Sequence, residues 1–486
     1  MSEAAGKATG WRELRNAGGL GRLALICFGV WLHAADSLMV ATIIPDVIRD
    51  IGGAQLIAWT VALYEIGSIV AGAASALLAL RYGLRRVMMA AALLYGAGCL
   101  VSAVAPDMPV MLAGRLAQGL GGGGLMALTF VAANRLFERR LMAQVMAAIS
   151  VVWGASAFTG PLVGGVFAEL DFWRGAFLFF AVQSGALTAW LYAGLRDDRG
   201  THPDTAEPAD AAVGAIPFRR LALLSAGVLA IAAAGIDPSG LKSGLLVGGG
   251  IALLTLFLWL DGRRQDDRLL PRRPLSIAHG VGAALVLVFC FSAATVSLGI
   301  YGPVVMNILF GASALTAGYI LALSSIGWSV AAIISASAAE RHDPTLIATG
   351  MTVVIVSVAG FAYAMPNGPL WLIAIFATLE GAGFGMAWTF LLRRATRFAE
   401  GAEKDRLASA IPTIQRLGYA VGAAAMGLIA NAFGFSDALS PATARTVAFW
   451  IFTLSLPIAV FGLVAVFAFA RLKAPTGDRP AAQEPH

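Results

Sequence analysis

Long apolar stretches separated by short polar breaks are the dominant pattern along this chain. A helix needs about 20 mostly apolar residues to cross a bilayer. Runs of that kind lie near residues 21–45, 56–80, 86–105, 108–134, 142–168 and 173–195. A polar, proline-bearing segment, RDDRGTHPDTAEPADAA, then reads as a linker. Two shorter apolar runs follow near 219–237 and 243–260, and a basic loop, DGRRQDDRLLPRRPLSIAH, closes that section. Six more runs lie near 280–303, 315–338, 345–364, 369–392, 407–433 and 446–470, ahead of the polar tail KAPTGDRPAAQEPH. The pattern predicts an all-α polytopic membrane protein with fourteen transmembrane helices. Its units are a six-helix bundle over 1–195, a linker with two additional helices over 196–278, a second six-helix bundle over 279–472, and a tail over 473–486.

The two outer blocks match each other. Each holds six spans with similar loop lengths, and each carries a short basic loop about 60 residues in, at Arg81 in the first and at Arg341 in the second. Paired halves of this kind suggest a transporter with a central site between them, the two middle spans being an insertion.

Composition sharpens the class. Of 486 residues, 58% are hydrophobic and 13% charged, and mean hydropathy is +0.78. A soluble domain carries about 25% charged residues, so a soluble enzyme, a disordered chain and a disulfide scaffold are excluded. Cys27, Cys99 and Cys290 sit in apolar runs and read as core residues. The first apolar run follows a stretch too polar for a cleavable signal peptide, so it is expected to stay as a span.

The net charge of +6 would suggest nucleic acid for a soluble domain. Here the basic residues fall where cytoplasmic loops are expected. With the N-terminus inside, only Arg49, Arg174, Lys242 and Arg445 face outward. Both termini are therefore expected in the cytoplasm.

Charges inside spans are costly and usually face a cavity or a partner. Five qualify: Asp36, Glu65, Arg115, Glu380 and Arg416. Asp36 lies about 15 residues into its run, roughly 22 Å at about 1.5 Å per residue, which places it in the outer half. His33 is its neighbour on the same helix. Burial favours the neutral form of a carboxyl, which suits proton exchange, and the alternative for each acid is a paired structural group. Ala62, Glu65, Ser68 and Gly72 share one broad helical face that is expected to line the cavity. Glu380 lies at similar depth in the second half, with Gly381, Gly383 and Gly385 after it, and is the expected partner of Arg416 if it is structural. Arg115 stays charged at any working pH and can tune a nearby acid or anchor to carbonyls. Rings within the spans, Trp31, Tyr64, Trp153, Tyr301, Trp328, Trp388 and Tyr419 among them, can serve an amphipathic ligand, although each singly reads as core or lipid-facing.

Several local patterns resemble the major facilitator superfamily over essentially the full chain, and within it the fourteen-span drug:proton antiporter group. In the first span, HAADSLMVATIIPDV, Asp36, Ala41 and Pro45 match that group's motif. The loop LLALRYGLRRVM matches the superfamily signature at Arg81, Gly83, Arg85 and Arg86, but Leu80 replaces the usual acid and Ala76 the usual glycine. The second-half copy, AERHDP, keeps an acid as Glu340 before Arg341, so a lock between the halves is expected there. Arg115, Gln118 and Gly119 match the fourth-span motif, and Gly160, Pro161, Gly164 and Gly165 the fifth-span motif associated with exporters. LLPRRPL and PTIQRLGYAVGAA also look like the fourteen-span group.

The resemblance implies two six-helix bundles plus two inserted helices and export of small amphipathic molecules by alternating access. The energy source is a proton gradient, with no cofactor and no metal. The implied coupling residues are Asp36, Glu65, Glu380 and Arg115. The implied substrate residues are His33, Tyr64, Gln118, Trp153, Tyr301, Trp388, Arg416 and Tyr419. Arg81, Gly83, Arg85, Arg86, Gly160, Pro161, Gly164, Gly165, Glu340 and Arg341 fall to conformational roles. Gly160 and Gly164 also form a small-xxx-small face, and Pro161 removes a backbone donor, so packing and hinge readings both stand.

The expected partners are a small-molecule substrate, protons and the lipid bilayer, without nucleic acid, and the protein is expected to act as a monomer in a bacterial inner membrane. A specific anionic metabolite, siderophore or lipid-like substrate is the alternative, Arg416 then meeting the anion. A transport-inactive assembly factor is a further alternative, suggested by Leu80. An intramembrane enzyme lacks support, because His33, His202, His279, His342 and His486 are scattered and no HExxH spacing occurs.

Overall fold

A computed structural model describes residues 19–195, 216–238, 240–264, 268–400, 402–436 and 439–472. The linker after residue 195 and the tail from 473 lie outside the described residues. Among those described, the chain forms fourteen α-helices and no strand. The first bundle comprises α1 (Gly19–Ile51), α2 (Ile57–Tyr82), α3 (Leu84–Ala103), α4 (Met108–Leu136), α5 (Met142–Glu169) and α6 (Trp173–Gly194). The inserted pair is α7 (Phe218–Ala234) and α8 (Gly240–Gly262). The second bundle comprises α9 (Gly280–Phe310), α10 (Ala314–Ser335), α11 (Asp343–Asn367), α12 (Leu370–Ala395), α13 (Ala402–Ala432) and α14 (Pro441–Arg471).

In a bilayer only helices or closed barrels can satisfy the backbone, and the apolar runs leave no second option. Breaks between helices fall at residues that cannot continue them. Asp107 caps α4 by accepting from the Val110 N–H at 3.0 Å. Ser313 caps α10 and Ser440 caps α14 in the same way. Gly83 divides α2 from α3 at φ 87°, ψ 145°, a backbone region nearly reserved for glycine. Gly83→Ala is therefore expected to destabilise the protein by about 1–3 kcal/mol, read as a lower thermal midpoint in detergent.

Twelve of the fourteen helices are long and apolar enough to cross a membrane. The other two are set apart by length and by charge. α7 has 17 residues, about 25 Å at about 1.5 Å per residue, against a hydrocarbon core of about 30 Å. α13 has 31 residues but carries Glu403, Lys404, Arg406 and Arg416.

Glycines set the helix spacing. A Cβ on Gly119 of α4 would fall 2.2 Å from the Tyr64 carbonyl oxygen of α2, and one on Gly121 2.4 Å from the Tyr95 nitrogen of α3. The second bundle repeats the device: a Cβ on Gly381 of α12 would meet the Ser324 carbonyl oxygen of α10 at 1.6 Å, and one on Gly385 that of Trp328 at 2.1 Å. Gln118 and Glu380 thus occupy like places, each just before the glycine that touches the neighbouring backbone.

The halves meet along α2 with α13 and α5 with α10. Contacts are close at the end that carries the α1–α2 connection. There Asn431 Nδ2 donates to Gln55 O at 2.8 Å, and a Cβ on Gly427 would sit 2.8 Å from that of Ala58. The fifth-helix motif divides its work between the middle of α1 and the same end. A Cβ on Gly160 or Gly164 would meet the Ala35 or Met39 carbonyl oxygen of α1 at 2.7 and 2.9 Å. A Cβ on Gly165 would meet the Leu315 side chain of α10 at 2.6 Å, and one on Gly318 of α10 the Pro161 Cβ at 2.8 Å. Close packing is therefore one function of the motif, within its own half and against the other.

The inserted pair rides on the α2–α13 seam. Asn431 Nδ2 also donates to Gly235 O at 2.7 Å, and a Cβ on Gly235 would fall 2.9 Å from the Leu428 backbone. α8 buries only Gly250, Phe257 and Asp261.

Candidate proton-coupling site

The site is assembled from α1, α2, α4 and α13, with α5 at its edge. Asp36 stands at the middle of α1 rather than in its outer half, because the helix runs on to Ile51, well past the apolar run. It is fully buried. Arg115 of α4 donates from Nη1 to Asp36 Oδ2 at 2.6 Å and to Gln118 Oε1 at 2.5 Å. Its Nε donates to the Thr60 carbonyl at 3.3 Å. The guanidinium also lies 4.3 Å from the Tyr64 ring centroid, a cation–π contact strengthened by the burial of both groups. Gln118 Nε2 reaches Ser102 Oγ and Cys99 Sγ on α3, both at 3.4 Å. Gln118 is thus fully buried and anchors Arg115 from the interior of the first bundle.

A second ion pair crosses between the halves. Arg416 of α13 donates from Nη1 to Glu65 Oε2 of α2 at 3.0 Å and from Nη2 to His33 Nε2 of α1, also at 3.0 Å. His33 Nδ1 lies 2.7 Å from Tyr64 Oη. The two rings stack at 5.4 Å, and Trp153 of α5 meets the imidazole edge-on at 6.3 Å. Trp153 is 42% exposed, so it faces open space beside this cluster. The pair joins residues 351 positions apart.

Arg416 therefore pairs with Glu65 of the opposite half, not with Glu380. Helix rotation explains the difference: the Glu380 face of α12 turns to α10, where Ser324 hydrogen-bonds its carboxyl. Glu380 is 5% exposed, and its Oε1 meets no hydrogen-bond partner among the described residues. The small face expected on α2 also divides. Ala62 is buried, Ser68 donates to the Gly119 carbonyl at 3.2 Å, Glu65 meets Arg416, and Gly72 alone has open space around its Cα.

The aromatic candidates scatter. Tyr301 is 1% exposed and packs on Phe435 with centroids 5.2 Å apart, so it is core at the closed end. Trp388 rests on Trp328 at 5.8 Å, away from the charged cluster, and Tyr419 is half-buried on α13.

Two arginines of the signature loop make contacts inside their own half. Arg85 donates to the carbonyls of Tyr192 and Leu195 at 3.5 and 3.3 Å. Arg81 lies over the Tyr82 ring at 5.4 Å, and Arg86 opens α3. The lock expected at Glu340–Arg341 does not bridge the halves. Glu340 pairs with Arg397 and Asp343 with Arg393, both in the second half, while Arg341 Nε donates to His342 Nε2 at 3.3 Å. The halves are held together at the opposite end, so the acids of this end find their partners locally.

Two features escaped the sequence reading. Asp261 of α8 is buried, pairs with Arg220 of α7 at 2.6 Å and accepts the N–H groups of Leu269 and Leu270 at 2.9 and 3.0 Å. An acid directly after the apolar run Leu253–Leu260 was its only signal. Asn431, bridging both halves and the insert, carried none. Cys27, Cys99 and Cys290 are buried and unbridged.

The architecture and the site define a class: two six-helix bundles closing around buried, paired charges form a secondary transporter. The chain belongs to the Major Facilitator Superfamily, whose family model matches residues 26–311 and 284–486. It is 30% identical, over 89% of its length and 92% of the relative, to a probable multidrug-efflux transporter of Mycobacterium tuberculosis. It is 23% identical, over 91% of its length and 94% of the relative, to a putative multidrug resistance protein of Cronobacter sakazakii. Among solved structures it superposes on a D-xylose–proton symporter with a TM-score of 0.63 at 15% identity, covering 91% of this chain and 97% of the other. On a peptide transporter the TM-score is 0.66 at 16% identity, covering 92% and 95%. These likenesses show the fold.

Proposed function

We propose that the protein is a proton-coupled exporter of small amphipathic organic molecules, working by alternating access in a bacterial inner membrane. The observation that carries this reading is the two ion pairs that share one cluster, the buried Asp36–Arg115 inside the first half and the half-buried Glu65–Arg416 across the halves. A proton arriving on Asp36 removes the charge that holds Arg115. A proton arriving on Glu65 removes a link between α2 and α13. Proton uptake and separation of the halves are thereby the same event, which is what coupling requires. Glu380 adds a third buried carboxyl, in the second half and without a basic partner among the described residues.

The basic loops support termini on the cytoplasmic side. Three of the four basic residues expected outside sit next to acids: Arg49 with Asp46, Arg174 with Asp50, and Lys242 with Asp237 at 3.7 Å. The closed end then faces outward, and the half-exposed Trp153 lies on the route from the cytoplasm. The proton gradient is the energy source, no cofactor takes part, no chemistry is performed on the substrate, and the monomer is the working unit. The multidrug-efflux names of the relatives favour a broad amphipathic substrate range. An anionic substrate loses its expected anchor, because Arg416 is already matched by Glu65.

The test is uptake of a lipophilic cationic dye into proteoliposomes holding the full chain, with a pH gradient imposed across the membrane. Wild-type flux should follow the gradient. The double substitution Asp36→Asn, Glu65→Gln should lower it by about tenfold or more, the scale of a coupling free energy of about 1–3 kcal/mol. Flux that ignores the gradient and survives that double substitution overturns the reading.

A further inference from the structure

We infer that His33 is a proton-operated latch: in its neutral form it holds Arg416 across the two halves, and a proton on its Nε2 expels that guanidinium. The inference rests on the proton-coupled reading above and adds to it a residue and a switch direction.

The argument starts from donor counting. A guanidinium has donors only and cannot accept a hydrogen bond. Arg416 Nη2 lies 3.0 Å from His33 Nε2, so Nε2 must offer its lone pair. A neutral imidazole carries one proton, which must then sit on Nδ1. Nδ1–H therefore donates to Tyr64 Oη at 2.7 Å. That leaves the phenolic proton of Tyr64 to go elsewhere, and the His33 carbonyl oxygen accepts it at 3.3 Å. Each donor meets one acceptor, and the neutral Nδ1–H tautomer alone completes the circuit. With Tyr64 donating to Nδ1 instead, the ring would carry no proton at all.

The groups around the ring allow one response to a second proton. α1 itself presents Asp36, already held by Arg115 at 2.6 Å. α2 presents Tyr64 and Glu65, the latter held by Arg416. α3 presents the Tyr95 hydroxyl, which donates to the Leu32 carbonyl at 3.1 Å. α4 presents Arg115, and α5 presents only the Trp153 ring. α13 presents Arg416. Protonated Nε2 would set N–H against N–H, and cation against cation, at the Arg416 contact. His33 is 4% exposed and cannot swing into water without leaving the Tyr64 stack. Arg416, on the other half, is the group that moves. Its departure also takes its charge from Glu65, so one proton on His33 unfastens both cross-half bonds of this cluster. Glu65 then stands as an unpaired, half-buried carboxylate that takes a second proton.

The first measurement uses the full chain with ¹⁵N-labelled histidine in lipid. The chain has five histidines, and the His33 signals are those lost in His33→Gln. Near pH 8 the latch requires a pyridine-like Nε2 and a pyrrole-like Nδ1, and on acidification both must become imidazolium-like as the halves part. The second measurement is the spin-label distance between cysteines placed at the exposed positions Asn134 and Ser337, one on each half. The distance distribution should shift over the same pH range in the wild type, and the shift should be lost in His33→Gln, whose side chain accepts from Arg416 but takes up no proton. An Nε2–H tautomer near pH 8, a distance shift that completes on acidification while the ring stays neutral, or an unchanged shift in His33→Gln overturns the latch. The wild-type distance shift needs no variant at the site, and its absence on acidification also overturns the latch. Failure of the latch with gradient-driven dye flux intact leaves the exporter standing, and loss of flux in the wild type overturns the exporter instead.

Discussion

Arg115→Ala is expected to abolish gradient-driven flux and to lower stability by about 3–5 kcal/mol, the cost of leaving a buried charge without its partner. The residue leaves four groups behind. Asp36 loses its cation, Gln118 its donor, the Thr60 carbonyl its hydrogen bond, and Tyr64 the charge over its ring. Asp36 is fully buried, so water cannot replace the guanidinium, and the carboxyl must take a proton to remain there. An acid locked in that form no longer exchanges protons during transport. Asp36→Asn should cost far less stability, because the amide oxygen still accepts from Arg115, yet it should remove proton exchange as completely. Combining Arg115→Gln with Asp36→Asn should recover much of the lost stability without recovering coupled flux. Thermal unfolding in detergent and dye flux in proteoliposomes separate the two quantities. Wild-type stability in Arg115→Ala would show that the pair is not buried as described.

Gly381→Ala is expected to cause the largest structural loss from a single methyl group. Its Cβ would lie 1.6 Å from the Ser324 carbonyl oxygen, a backbone atom that moves only if α10 and α12 part. The contact repeats one turn on, where a Cβ on Gly385 would meet the Trp328 carbonyl oxygen at 2.1 Å, and on the other face, where one on Gly383 would meet the Gly350 carbonyl oxygen at 2.5 Å. Helix association in lipid depends on such close packing rather than on burial of apolar area. Overpacking costs about 1–3 kcal/mol where side chains can give way, and here none stands in between. Little folded protein should survive membrane extraction, as read by monodisperse recovery. Gly72→Ala and Gly185→Ala supply the control. Neither Cβ meets anything within 4 Å, and alanine is the better helix former by about 0.5–1 kcal/mol. Equal recovery of Gly381→Ala and the two controls would contradict the packing.

Much of the molecule was legible in the chain because hydropathy is local. Each run declares itself within about 20 residues, whatever the rest of the protein does. Membrane helices lack a sharp polar face, however, and the rotation of each about its axis is weakly written. Glu65 shows the consequence. Its depth and its apolar surroundings marked it as functional, yet nothing near it in sequence pointed to Arg416. The same gap sent Arg416 to Glu380, and left Asn431 and Asp261 unnoticed. Helix length was a second blind spot. Apolar runs end before helices do, so Asp36 seemed nearer the outer surface than its true place at the middle of α1.

The sequence by itself determined the all-helical membrane class, the order of the helices, the paired halves with their insert, and the identity of the five charges within the spans. A charge among apolar residues stands out without any knowledge of its partner. Only the tertiary structure decided the pairing: Asp36 with Arg115 within one half, Glu65 with Arg416 across both, His33 between Tyr64 and Arg416, and Glu380 with no basic partner among the described residues. Pairing depends on how helices are turned and on backbone approaches that glycines permit. Those are properties of contacts between distant segments, and no local stretch of the chain contains them.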